Sequence, residues 1–209
     1  MIKCKTCNLP ETYETIEFNK RGGCNICHSN ISLKKKINWK KRFKELIKIV
    51  NLYKDKYDYD CIVPFSGGKD STYQVIRILQ LGLNPLCVTA TTCSLSKIGR
   101  KNIDNIKSLG VDYIEFTPNS LIRAKLNRIG LNEVGDISWP EHVGIFTIPV
   151  RAAVEYNVPL IIWGENSQNE YGGPAAAQSN NILNRRWLEE FGGLLGMRVS
   201  DLIGQDGIE

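Results

Sequence analysis

The stretch DCIVPFSGGKDSTYQVIRIL, Asp60 to Leu79, constrains this chain more than any other. An apolar run, Asp60–Phe65, passes into a glycine pair and then into an amphipathic pattern that predicts a helix over Ser71–Leu81. A strand–turn–helix of this kind is built to hold an anion. Gly67 and Gly68 let backbone N–H groups approach phosphate oxygens, and the helix points its positive end at the same place. Ser66 and Ser71 add hydroxyl donors and Lys69 adds a charge. The spacing is not that of the common nucleotide loop G-x-x-x-x-G-K-[ST]. Its first glycine would fall on Val63, and the residue after the lysine is Asp70 rather than Ser or Thr.

From Asp60 onward strands and helices alternate. Strands are predicted at Asp60–Phe65, Pro85–Ala90, Val111–Phe116 and Pro159–Trp163. Helices are predicted at Ser71–Leu81, Ser96–Leu109, Asn119–Arg128 and Glu141–Tyr156, the last with a kink at Pro149. Apolar strands alternating with helices imply an α/β fold, a parallel doubly wound sheet covered on both faces. Ligands of such sheets sit at the carboxyl ends of the strands. That brings together the glycine loop, TATTCSLSK after the second strand, and GENSQNEYGG after the fourth. In the last of these, Glu165, Asn166 and Glu170 follow a buried run, a placement suited to holding Mg²⁺ or orienting a substrate. Trp139, His142 and Arg151 fall one element upstream. Cys61 and Cys87 read as small core residues, whereas Cys93 lies in a loop with no cysteine or histidine beside it.

The front end is a different kind of sequence. Cys4-x-x-Cys7 and Cys24-x-x-Cys27 are separated by 16 residues, a spacing that lets four thiolates surround one Zn²⁺. TYETIEF, Thr12–Phe18, alternates like a short strand, as in a zinc ribbon. So small a module cannot build a core alone, so the metal carries its folding, and a closed four-cysteine site is structural. His28 is surplus to that set. Trp39, Phe43, Leu46, Ile47, Val50 and Tyr53 then recur at helical spacing with lysines between them. The expected domains are a zinc-ribbon module at 1–36, a basic amphipathic linker helix at 37–57, and a nucleotide-binding domain at 58–209. Residues 1–56 carry 14 Lys+Arg against 5 Asp+Glu, net +9, and residues 57–209 carry 13 against 17, net −4. A basic front end suits an acidic partner, an anionic sugar nucleotide or nucleic acid, and equally a solvated face. The sequence has no apolar run of membrane-spanning length and does not open on a signal peptide, so a cytoplasmic protein is expected.

Ser66-Gly67-Gly68-Lys69-Asp70-Ser71 resembles the PP-loop, the S-G-G-x-D-S signature of the ATP pyrophosphatases. The resemblance implies cleavage of ATP between its α- and β-phosphates, with the loop holding pyrophosphate and Thr89 and Ala90 seating adenine. Taken with the cysteine pairs, PFSGGKDST, WPEHVGIFTIPV and WGENSQNEYGG, nearly the whole chain resembles the N-acetyl sugar amidotransferases of bacterial surface-polysaccharide and pseudaminic-acid-type sugar biosynthesis. That implies ATP and Mg²⁺ as cofactors, with Zn²⁺ structural. Ser66, Gly67, Gly68, Lys69, Asp70, Ser71, Thr89, Ala90 and Gly164 would bind the nucleotide. Lys69, Asp70, His142, Glu165 and Asn166 would serve catalysis. Arg151, Glu170, Tyr171 and Gly172 would hold a nucleotide-linked N-acetyl sugar. A separate glutaminase would supply ammonia, and neither membrane nor nucleic acid is an expected partner. Members of that family continue beyond SDLIGQDGIE, so the chain reads as an N-terminal portion. The rival reading is a tRNA thiolase, which also joins zinc knuckles to a PP-loop, yet Cys61, Cys87 and Cys93 form no C-x-x-C.

Overall fold

A computed structural model describes residues 1–12, 16–92, 95–164, 185–190 and 193–208. The chain divides into two compact units, Met1–Leu52 and Tyr53–Glu209.

In the first unit the cysteine pairs lie on tight turns linked by isolated antiparallel bridges, Lys3 with Pro10 and Phe18 with Cys24. The strand expected at Thr12–Phe18 falls partly outside the described residues. Where described, it contributes the single bridge at Phe18. Helix α1, Asn25–Lys36, was not anticipated. Its N-cap is Cys24, whose sulfur accepts the N–H of Cys27, so the second cysteine pair is also a helix start. Helix α2, Trp39–Tyr53, follows as the apolar spacing predicted.

The second unit is built on a parallel sheet of β1 (Cys61–Pro64), β2 (Pro85–Ala90) and β3 (Asp112–Phe116), in that spatial order. The predicted fourth strand is reduced to one parallel bridge, Ile161 with Ile62. Its ladder bonds are nonetheless formed: Ile62 N–H donates to Leu160 O and Ile162 N–H to Ile62 O, each at 2.9 Å. Because β2 occupies the other side of β1, the chain runs outward from β1 through β2 to β3 and then returns beyond β1. That reversal creates a topological switch point between β1 and the 160–163 segment.

Both faces of the sheet are covered, as near-continuous apolar strands require. Ile62, Leu86 and Val88 pack with Ala152, Ala153 and Val158 against α6 (Trp139–Glu155). The opposite face meets α3 (Lys69–Gln80), which also touches α4 (Lys97–Lys107). Cys61 and Cys87 are fully buried, and burial pushes both thiols up to about 12, so they are inert core residues. The buried Asp60 carboxylate accepts the N–H groups of Asp55 (2.6 Å) and Asn84 (2.7 Å), tying together the entries to β1 and β2.

Helix α5 spans Ser120–Val134, a full turn and a half longer than Asn119–Arg128. Asn119 caps it through the N–H groups of Leu121 and Ile122. Helix α6 begins at Trp139, ahead of the expected Glu141, with a proline in its first turn. It continues through Pro149 as one element. The later segment 193–208 folds back on these two helices. Met197 and Leu202 join Ile129 and Trp139 in a second core, and Arg128 pairs with Asp206 at 2.8 Å.

Candidate nucleotide site

The glycine loop leaves β1 at the switch point. Gly67 is buried with φ at +76°, a backbone region that L side chains occupy at a cost. Gly68 is extended (φ −79°, ψ 171°) and caps α3. Serines brace the turn from inside. Ser66 N–H donates to Ser71 Oγ (3.3 Å), the two hydroxyls lie 3.2 Å apart, and Gly68 N–H donates to Ser66 Oγ (3.3 Å). Ser71, 6 % exposed, also donates to Gly68 O (3.2 Å), joined there by Thr72 Oγ1 (2.8 Å). The hydroxyls are thus committed to shaping the loop, and the N–H groups of α3's first turn supply the anion-binding potential. Lys69 and Asp70 stand in solvent and pair with each other at 2.6 Å. An exposed pair of this kind is readily separated by a polyphosphate or a cation.

Two cavities open at the carboxyl ends of the strands. A small one of about 60 Å³ adjoins the loop, between Phe65, Ser66, Ala90 and Thr92 on one side and Ile145 and Pro149 of α6 on the other. Ala90 also walls a larger, mostly apolar cavity of about 210 Å³, bounded by Phe116, Arg123, Glu141 and Gly144. Backbone groups of the Ala90–Thr92 segment border both cavities. Arg123 Nη1 donates to Thr91 O at 3.3 Å, and Glu141 accepts Asn127 Nδ2 at 2.9 Å. The side chain of Thr89 is turned away. It is buried and its hydroxyl donates to Phe65 O, fastening β2 to the root of the loop.

Other predicted site residues sit elsewhere. His142 Nδ1 lies 2.9 Å from Asp136 Oδ2, in the turn between α5 and α6, and is not among the residues lining either cavity. Arg151 is exposed at the rim of a separate cavity beside Glu155 and Tyr156. Glu165, Asn166, Glu170, Tyr171 and Gly172 lie outside the described residues, as does Cys93.

Gly164 faces Gln74 of α3. Gln74 Nε2 donates to Ile162 O at 2.6 Å, while its Oε1 is buried without a partner among the described residues and would lie 2.9 Å from a Cβ at position 164. The pair locks the end of the 160–163 segment to the helix that begins at the loop. Gly164→Ala should therefore displace Gln74 and cost about 1 kcal/mol through the lost hydrogen bond. In a Gln74→Ala background the same change should cost almost nothing, a coupling that denaturant titration of the double-mutant cycle measures. Gln74 was legible in principle, as a polar residue on the face shared by the buried Ser71, Val75 and Ile78.

In the ribbon the sulfurs of Cys4, Cys7, Cys24 and Cys27 all lie within 4.8 Å of one another. Cys4–Cys27 is 4.0 Å and Cys7–Cys24 is 3.7 Å. A tetrahedron with Zn–S bonds of about 2.3 Å has edges of about 3.8 Å, so the set fits Zn²⁺. The electrostatics agree. Backbone N–H groups, foremost that of Cys7 and then those of Thr6 and Cys24, hold the Cys4 thiol down at about 6. The hydrogen bond with the Cys7 side chain, helped by desolvation, pushes Cys27 up to about 12. Four crowded sulfurs cannot all shed their protons without a cation among them.

No family model matches the chain. It is 34% identical over 150 residues to an uncharacterized protein of Methanocaldococcus jannaschii, an alignment covering 64% of this chain and 53% of that one. The chain thus spans about half the length of the curated relative it matches. Among solved structures it is similar to an NH₃-dependent NAD synthetase from Campylobacter jejuni, with TM-score 0.49, 15% identity, and 66% of this chain and 62% of that one covered. It is also similar to an NMN synthetase from Francisella tularensis, with TM-score 0.46, 17% identity, and coverage of 61% and 56%. A third likeness is to a predicted subunit of tRNA methyltransferase from Methanocaldococcus jannaschii, with TM-score 0.38, 21% identity, and coverage of 57% and 60%. At TM-scores below 0.5 these likenesses carry no argument about chemistry. No helix among the described residues is long and apolar enough to cross a membrane. What the described residues establish is a parallel α/β sheet with a glycine-rich loop at its switch point, and a four-cysteine cluster that fits a metal ion.

Proposed function

We propose that the chain activates a carbonyl oxygen with ATP and belongs to an amidotransferase acting on the N-acetyl group of a nucleotide-linked sugar in surface-glycan biosynthesis. The observation that carries the ATP reading is the braced Gly67–Gly68 turn at the start of α3, beside the Ala90 cavity, where polyphosphate and base find complementary surfaces a short distance apart. The acetamido oxygen attacks the α-phosphorus and pyrophosphate leaves into the loop. Ammonia then adds to the activated carbon, AMP departs with the original oxygen, and an acetamidino group remains. The N–H groups of α3's first turn and Lys69 stabilise the departing pyrophosphate. Mg²⁺ would travel with the ATP phosphates, and Asp70 is the loop carboxylate suited to it. The ammonia would come from a separate glutaminase.

The same activation applied to a base carbonyl of tRNA is the second reading, favoured by the net +9 of residues 1–56. Exchange of labelled pyrophosphate into ATP separates the two. Exchange is expected to require the nucleotide-linked N-acetyl sugar. Exchange that requires unmodified tRNA would replace the first reading by the second, and none with either acceptor would remove both.

A further inference from the structure

The glycine loop is held from below by a helix that begins 30 residues after Gly67. Asn102 of α4 donates from Nδ2 to the carbonyl of Gly67 at 2.7 Å. Around that bond the fit is close. A Cβ at Gly67 would lie 2.7 Å from Gly99 O and 3.3 Å from Ile103 Cγ1, and Ile103 is fully buried. The first turn of α4 is fixed in its own right by Ser96, whose Oγ accepts Gly99 N–H at 3.0 Å.

We infer that Asn102 is a positioning residue for phosphate binding, setting the orientation of the Gly67–Gly68 peptide; the inference rests on the nucleotide reading of this loop. In a trans peptide the carbonyl and the following N–H point to opposite sides. With Asn102 holding the Gly67 carbonyl against α4, the Gly68 N–H is turned into the loop, where it meets Ser66 Oγ at 3.3 Å. Glycine on both sides of the bond leaves rotation of this peptide unusually free. A turn of the peptide would put a carbonyl, with its partial negative charge, where a phosphate oxygen must sit. The donor on α4 therefore keeps the Gly67 lone pairs away from the ligand side of the loop, which is left to the N–H groups of α3's first turn. An Asn in a helix interior is a mild liability for that helix, and here its amide serves a loop carbonyl 35 residues earlier in the chain.

The test uses the full chain and three probes: pyrophosphate, ATP and AMP, titrated calorimetrically against wild type, Asn102→Asp and Asn102→Ala. Asn102→Asp keeps the shape but offers only acceptors when ionised, so it repels the Gly67 carbonyl. Pyrophosphate and ATP should bind Asn102→Asp about tenfold more weakly or worse, and Asn102→Ala by a smaller factor. AMP, which lacks the two outer phosphates, should change less than about twofold. A role confined to packing would weaken AMP as much as ATP, or leave pyrophosphate binding untouched, and either result overturns the inference while the nucleotide reading stands. Should Asn102→Asp fail to fold, Asn102→Ala carries the same comparison without an added charge. Wild type that binds neither pyrophosphate nor ATP overturns the nucleotide reading and this inference with it.

Discussion

Replacing Gly67 by alanine is expected to abolish pyrophosphate and ATP binding and to destabilise the second unit by about 2–5 kcal/mol. Two penalties act together. At φ +76° a non-glycine residue costs about 1–2 kcal/mol. The added methyl also meets Gly99 O at 2.7 Å, a backbone atom that cannot step aside without moving α4, and forced overpacking of this kind costs about 1–3 kcal/mol. Against a typical domain stability of about 5–15 kcal/mol that loss is severe. Gly68→Ala is the informative companion. Its backbone lies in an ordinary region and its Cβ would meet only Ser66 Oγ, at 3.2 Å, so stability should fall by less than about 1 kcal/mol. Phosphate approach over that position should still be impaired. Thermal unfolding and pyrophosphate titration on the two variants give the comparison. A Gly67→Ala protein with wild-type melting temperature would show that the loop does not lie on α4 as described.

The second large effect concerns the metal. Stripping Zn²⁺ with a chelator, or replacing Cys24 by serine, is expected to unfold residues 1–52 while leaving the α/β unit intact. The described ribbon has isolated bridges in place of strands, and the buried hydrophobic side chains at its centre are Cys4 and Cys24 themselves. Structural Zn²⁺ sites in small modules contribute apparent binding free energies of about 10–16 kcal/mol at neutral pH, and that binding is also the folding free energy. Limited proteolysis should trim the metal-free protein to a resistant fragment beginning near Tyr53, and the intact protein should carry one Zn²⁺ per chain by elemental analysis. Persistence of protected ribbon amides in metal-free protein would assign the fold of that unit to its side chains instead.

Much of this was legible before any coordinates. The four-cysteine cluster is announced by spacing, because two C-x-x-C turns can bring four thiols around one metal ion. The glycine loop is announced by composition, because the left-handed backbone at Gly67 favours glycine. Element types in the body follow from apolar periodicity, though their ends do not. Helix α5 runs on to Val134, where Gly135 closes it in a left-handed conformation, and α6 starts at Trp139 with a proline in its first turn, local signals that the apolar period does not carry. Helix α1 leaves no separate mark in the sequence, because its cap is Cys24, a residue of the four-cysteine cluster.

Contacts across long sequence distances belong to the tertiary structure alone. Thr89 spends its hydroxyl on Phe65, Gln74 grips Ile162, and Asn102 holds Gly67. A residue's type and spacing specify what chemistry it can offer and which face of its own element it occupies. They do not specify which element lies opposite, because that depends on the order in which parallel strands pack and on the side to which each crossover returns. The sequence by itself determined a glycine loop between strand and helix, a four-cysteine cluster and an alternating α/β body. Only the packing of α4 beneath the loop, and of the 160–163 segment beyond β1, decided how that loop is held.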